Sequence, residues 1–103
     1  MKKILLICSG GMSTSLLSTK MSNAAAKKGI EVSISAVAEA DVKNNIDDVD
    51  VLLLGPQVRY LLPKVKELLG SKEVPVDIIN GIHYGTMNGE AVLDHALKMI
   101  KGD

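Results

Sequence analysis

The chain alternates four times between two hydrophobic periodicities, and this restricts the folds open to it more than any other feature. Residues 4–7 (Ile-Leu-Leu-Ile) form a continuous apolar run, the pattern of a strand covered on both faces. A helical stripe follows over residues 13–28, with Leu17, Met21, Ala24 and Ala25 on one side. Ser13, Thr14 or Ser15 is available to cap it, and Lys27, Lys28 and Gly29 suit its carboxyl end. Residues 30–37 place Ile30, Val32, Ile34 and Ala36 on one side and read as an edge strand. A short helix over 38–45 leads to a third strand at 49–54, stopped by Gly55-Pro56. Val58, Leu61, Leu62, Val65, Leu68 and Leu69 make the next helical stripe; Pro63 lies close enough to its start that no needed donor is lost. Residues 74–79 form a fourth strand, and Asn88 caps a last helix that turns Val92, Leu93, Ala96, Leu97 and Ile100 inward.

The order β-α-β-α-β-α-β-α predicts an α/β fold: a four-stranded parallel sheet with helices on both faces, a flavodoxin-like three-layer sandwich. At 103 residues this is a single domain, 1–103, free of repeats and linkers. Its core must be aliphatic, because the chain has no Phe or Trp and its only aromatic residues are Tyr60 and Tyr84. Twelve basic residues balance twelve acidic ones, which argues against nucleic acid as a partner. The apolar run after Met1-Lys2-Lys3 is too short for a signal peptide, and no segment reaches membrane-spanning length. One cysteine makes no internal disulfide, so a cytoplasmic setting is expected.

Sheets of this kind bind at the carboxyl ends of their strands, where strand order reverses. The loops there are residues 8–13, 55–58 and 80–88. The first holds the sole cysteine, in the run Ile7-Cys8-Ser9-Gly10-Gly11-Met12-Ser13-Thr14-Ser15. A lone cysteine closing a buried strand is ordinarily a small hydrophobe. Here two glycines without Cβ let backbone N–H groups curl around an anion, and the helix that follows points its free N–H groups the same way. That setting favours a thiolate and cradles a phosphoryl group arriving at sulfur.

A thiophosphate formed there is either hydrolysed or passed on. The low-mass tyrosine phosphatases share the fold type and loop design, with an arginine six residues after the cysteine. Counting from Cys8, that place falls on Thr14, which has no guanidinium fork for the transition state. Their leaving-group acid is also missing from the carboxyl-end loops, since Asp77, Asp94 and Asp103 all lie elsewhere. A phosphatase-like hydrolase is therefore the alternative to a phosphocarrier. A flavin-mononucleotide-binding module is a third reading, set back by the scarcity of ring-stacking aromatics. A response-regulator receiver needs an aspartate after strand three, where Gly55 stands.

The segments CSGGMSTSLL, LLLGPQVRYLLPKVKELL and YGTMNGEAVL resemble the IIB component of the phosphoenolpyruvate-dependent sugar phosphotransferase system, in its lactose, cellobiose and chitobiose class, and the resemblance spans essentially the whole chain. It implies a protein-phosphocysteine–sugar phosphotransferase. Cys8 would be the nucleophile, taking phosphate from the phosphohistidine of a IIA protein. It would pass the group to a β-glucoside or a chitobiose- or lactose-type disaccharide held by the membrane permease IIC. Ser9, Gly10, Gly11, Met12, Ser13, Thr14 and Ser15 would form the phosphoryl-binding loop. No cofactor or metal is implied. The chain alone would be a monomer in the cytoplasm, at the inner face of the membrane when bound to IIC, and the membrane partner would choose the sugar.

Gln57, Arg59 and Tyr84 are candidates for the site rim or a partner contact. The plainer readings are helix entry for Gln57, a solvated helix face for Arg59 and packing for Tyr84. Met12 divides evenly between a partner contact and helix-entry packing. His83 and His95 receive no catalytic role; His95 reads as a surface residue.

Overall fold

Four strands, β1 (Lys2–Cys8), β2 (Val32–Ala38), β3 (Val51–Leu54) and β4 (Val76–Ile78), join in one parallel sheet of order β2-β1-β3-β4. The computed structural model describes residues 1–9 and 12–100, the side chains of Met12 and Ser13 excepted. Parallel neighbours need crossover connections. These are α1 (Met12–Lys28), a 3₁₀ helix at Glu39–Asn44, and a second 3₁₀ helix, Pro56–Leu61, that runs into α2 (Leu62–Leu69). After β4 come α3 (Gly81–Gly85) and α4 (Gly89–Ile100). The chain steps outward from β1 to β2, then returns to place β3 and β4 on the other side. The reversal therefore lies between β1 and β3.

The continuous apolar runs are explained by what covers them. Ile4, Leu6, Val51 and Leu53 pack under Leu17, Met21 and Ala25 of α1 and Val92, Leu93 and Ala96 of α4. Leu5, Ile7, Leu52 and Leu54 face the other layer, under Val42, Val58, Leu61, Val65 and Leu69. Each fully buried Leu or Ile contributes about 1.5–3 kcal/mol of transfer free energy, so the two central strands anchor both cores. The edge strand β2 turns Val32, Ile34 and Ala36 toward the α1 side, together with Ile30 just ahead of it.

Beyond shifts of a residue or two at strand and helix ends, three elements differ from the sequence reading. The 38–45 segment is 3₁₀ rather than α-helical: it has no side-chain cap, and Val42 is the residue it buries. The stripe beginning at Val58 is not one helix. Val58 has φ −118 and ψ 25, and α2 starts only at Leu62, with Pro63 in its first turn where its missing N–H costs nothing. The fourth strand is shorter than residues 74–79 because it lies at the edge and pairs only with residues Leu52, Leu53 and Leu54.

Two contacts fix α1 against α4. Gly89 is buried, and a Cβ there would stand 2.5 Å from the Lys20 carbonyl carbon and 2.7 Å from Met21 N, so only glycine permits this approach. At the far end of α1, Lys28 Nζ meets Asp94 Oδ1 at 2.9 Å and Glu90 Oε2 at 3.7 Å. The hydrogen bond to Asp94, helped by the charges of Asp94 and Glu90, raises the Lys28 amine above its ordinary value against the opposing effect of desolvation. A raised lysine stabilises the fold below its unfolded pKa and ceases to do so as pH climbs through the folded value. Replacing it by Lys28→Met should therefore lower the denaturation midpoint at neutral pH. The gap between the two proteins should close in strong alkali, as read by urea titrations across that range.

Candidate phosphoryl-transfer site

Cys8 is the last residue of β1 and lies opposite Ala38 of β2. Strand alternation puts its side chain on the α1 face, with Ile4 and Leu6. On the other flank β3 ends beside the same strand: the Gly55 N–H donates to the Ile7 carbonyl at 2.9 Å. The thiol therefore closes the central strand at the point where strand order reverses. Cys8 is only 5% exposed, and its Sγ donates to the Val37 carbonyl at 3.7 Å. The sulfur is covered because β1 has a neighbour on each side and α1 lies over that face.

α1 begins at Met12, which corrects the expectation of a Ser13, Thr14 or Ser15 cap: all three lie inside the first turn. Gly10 and Gly11, and the side chains of Met12 and Ser13, lie outside the described residues. Ser9 and Ser15 are exposed. Thr14, at 1% exposure, is the one buried polar residue among the described residues. Burying a hydroxyl is costly unless it is hydrogen-bonded, and its partner here is the Tyr84 hydroxyl at 3.2 Å. The same Tyr84 oxygen accepts from Gln57 Nε2 at 3.0 Å. The structure thus brings together Thr14 of the first turn of α1 and Gln57 and Tyr84 of the two later carboxyl-end segments. Arg59 stands exposed on the 3₁₀ helix after Gln57.

Local chemistry places each partner. Gly55 leaves room for the amide as it lies: a Cβ would stand 2.6 Å from Gln57 Oε1 and push that side chain away from Tyr84. Tyr84 sits on α3, a helix that the sequence reading left as loop. Its N-terminal signal is Asn80, whose Oδ1 accepts from Ile82 N at 2.8 Å and His83 N at 3.1 Å. Met87, at φ 53 in the left-handed region, reverses the chain after α3, and Asn88 Oδ1 then accepts from Ala91 N to cap α4. Exposed apolar side chains stand on the elements that follow three of the strands: Leu16 on α1, Tyr60 on the 3₁₀ helix and Ile82 on α3.

The histidines fall elsewhere. His83 is half-buried on α3, and His95 of α4 pairs through Nε2 with Asp77 Oδ2 of β4 at 2.9 Å. His95 is therefore half-buried and paired across the fold, rather than simply a surface residue. Asp94 is held by Lys28, and Asp103 lies outside the described residues. Among the described residues no group of three or more His, Cys, Asp or Glu side chains is placed to hold a metal ion. No described helix is long and apolar enough to cross a membrane.

A four-stranded parallel α/β sheet of this kind is also the fold of solved phosphotransferase IIB domains. Residues 3–95 match the family described as PTS system, Lactose/Cellobiose specific IIB subunit, and the chain belongs to it. Among its relatives, the oligo-beta-mannoside-specific EIIB component of Bacillus subtilis (strain 168) is 38% identical over 100 residues, with 97% of each chain covered. The galactose-specific EIIB component of Lactococcus lactis subsp. cremoris (strain MG1363) and the cellobiose-specific one of Lactococcus lactis subsp. lactis (strain IL1403) are each 43% identical over 97 residues, covering 89% of this chain and 90% of theirs. In structure, the lactose-specific IIB domain from Streptococcus pneumoniae superposes with a TM-score of 0.85 over 94% of this chain and 95% of its own, at 19% identity. The cellobiose-specific IIB component from Borrelia burgdorferi has a TM-score of 0.81 at 42% identity, covering 98% of this chain and 93% of its own.

Proposed function

We propose that this IIB component is a phosphocarrier in which Cys8 takes a phosphoryl group from a IIA phosphohistidine and gives it to a sugar held by IIC, with residues 1–103 acting as one working unit. The observation that carries this reading is the position of the thiol. The sole cysteine ends the central strand at the reversal between β1 and β3, four residues ahead of the first residue of α1. In the first step sulfur attacks phosphorus, an S–P bond forms and the N–P bond of the donor breaks. In the second a sugar hydroxyl oxygen attacks, an O–P bond forms, the S–P bond breaks and the hydroxyl proton is released to solvent. The thiol proton is released to solvent before attack, and the imidazole nitrogen freed as the N–P bond breaks takes up a proton in its place.

Free N–H groups at the start of α1 favour the negative charge that sulfur and phosphoryl oxygens carry in both directions. Retention of the phosphate suits the residues nearby. Thr14 stands where a hydrolase of this loop design keeps an arginine, and its hydroxyl is engaged by Tyr84. Asp77 and Asp94, considered as leaving-group acids, are engaged by His95 and Lys28. The cellobiose, galactose and oligo-beta-mannoside systems of the relatives point to a β-linked disaccharide or a galactoside as the sugar.

Intact-mass measurement tests the reading. The chain is incubated with phosphoenolpyruvate, the general phosphotransferase proteins and a lactose/cellobiose-class IIA. The expected result is a gain of one phosphoryl group on the peptide that contains Cys8. Modification mapped to a His83 or His95 peptide instead would overturn it.

A further inference from the structure

We infer that Tyr84 is a positioning residue for phosphoryl transfer, acting through Thr14; this rests on the phosphocarrier reading above. The Tyr84 hydroxyl joins the first turn of α1 to the segment that follows β3. It accepts from Gln57 Nε2 at 3.0 Å and shares a hydrogen bond with Thr14 Oγ1 at 3.2 Å. A phenol has a single O–H. Its oxygen accepts from Gln57, and either hydroxyl can donate in the bond between Tyr84 and Thr14. The hydrogen-bonded chain Gln57–Tyr84–Thr14 ends in the first turn of α1, six residues after Cys8.

The scaffold around this chain of donors is specific. Thr14 is 1% exposed, so its rotamer is fixed by packing as well as by Tyr84. Gln57 is held in reach because Gly55 leaves the space its amide occupies. Tyr84 is carried by a five-residue helix that Asn80 caps. Every group is neutral, which suits a relay: a cationic clamp would hold the phosphoryl group more tightly and slow its departure. The role assigned to Tyr84 is to set the placement of the first turn of α1 and the direction of the Thr14 hydroxyl. It does not touch sulfur.

Stopped-flow phosphorylation by a phosphorylated lactose/cellobiose-class IIA tests this with Tyr84→Phe, Thr14→Val and the double variant, alongside the parent chain. Tyr84→Phe keeps the ring and removes only the hydroxyl. The maximal transfer rate should fall roughly five- to twentyfold, the scale of one hydrogen bond, with the half-saturating IIA concentration unchanged. Thr14→Val should fall by a similar factor, and the double variant should be no slower than the slower single one, because the two act as a unit. Gln57→Met, combined with Tyr84→Phe in a parallel cycle, serves if Thr14→Val does not fold. A parental rate in Tyr84→Phe overturns the proposal. So does a raised half-saturation at unchanged rate, which would make Tyr84 a partner contact, and so does a double variant whose losses multiply. Phosphate that still appears on Cys8→Ser defeats the phosphocysteine reading itself, a result independent of these.

Discussion

Cys8→Ser is expected to remove phosphoryl acceptance while leaving the fold in place. Labelling from phosphoenolpyruvate through IIA should drop by roughly 10³-fold or more, the scale of losing a covalent nucleophile. The reason is chemical: at neutral pH a serine hydroxyl is far less ionised and less nucleophilic than a thiol, and nothing described nearby is a base for it. The fold should survive because the substitution changes one atom at the end of a strand that keeps both ladders. The backbone pairing of β1 with β2 and β3 involves no Cys8 side-chain atom. Cys8 is buried, so a cost of about 1 kcal/mol is the expected scale, visible as a small shift in thermal midpoint. Full labelling of the serine variant would remove Cys8 from the relay.

The largest stability effect should come from Gly89→Ala. Its Cβ would meet the Lys20 carbonyl carbon at 2.5 Å and Met21 N at 2.7 Å, both backbone atoms that no rotamer change can move. α1 and α4 would have to separate, loosening the layer that contains Leu17, Met21, Val92, Leu93 and Ala96. Overpacking of this sort costs about 1–3 kcal/mol, or about 5–20 °C in thermal midpoint for a domain of this size. Gly81→Ala is the matching control. A Cβ there meets nothing within 4 Å, so its midpoint should hold or rise slightly. Equal midpoints for the two variants would mean that the helices do not depend on this close approach.

What the residues announced in advance was mostly what their neighbours in sequence could determine. The β1 and β3 runs, apolar throughout, predicted burial on both faces, and the structure covers both. Asn88 was legible as a cap because capping is a short-range bond to a residue three positions on. The departures have physical causes of their own. A 3₁₀ segment after β2 and the break before α2 depend on how few residues there can point inward and on where Pro63 can sit. α3 went unseen because it has only five residues, with a glycine at each end, and the periodicity of so short a helix is not distinguishable from loop. The pairings Thr14–Tyr84 and His95–Asp77 join positions far apart in the chain, which no local pattern encodes. Sequence placed Tyr84 in the right loop but could not say what its hydroxyl would hold.

The position of β1 in the sheet also bears on synthesis. β1 leaves the ribosome first, yet it is a central strand, and both of its neighbours come from later parts of the chain. Until β2 and β3 have emerged, the thiol at its end has no ladder on either side and none of its eventual cover. A nascent chain therefore carries a bare sulfur that oxidants can reach before any partner protein can use it. The burial that shields the Cys8 sulfur in the folded protein is thus absent while the chain is still being made.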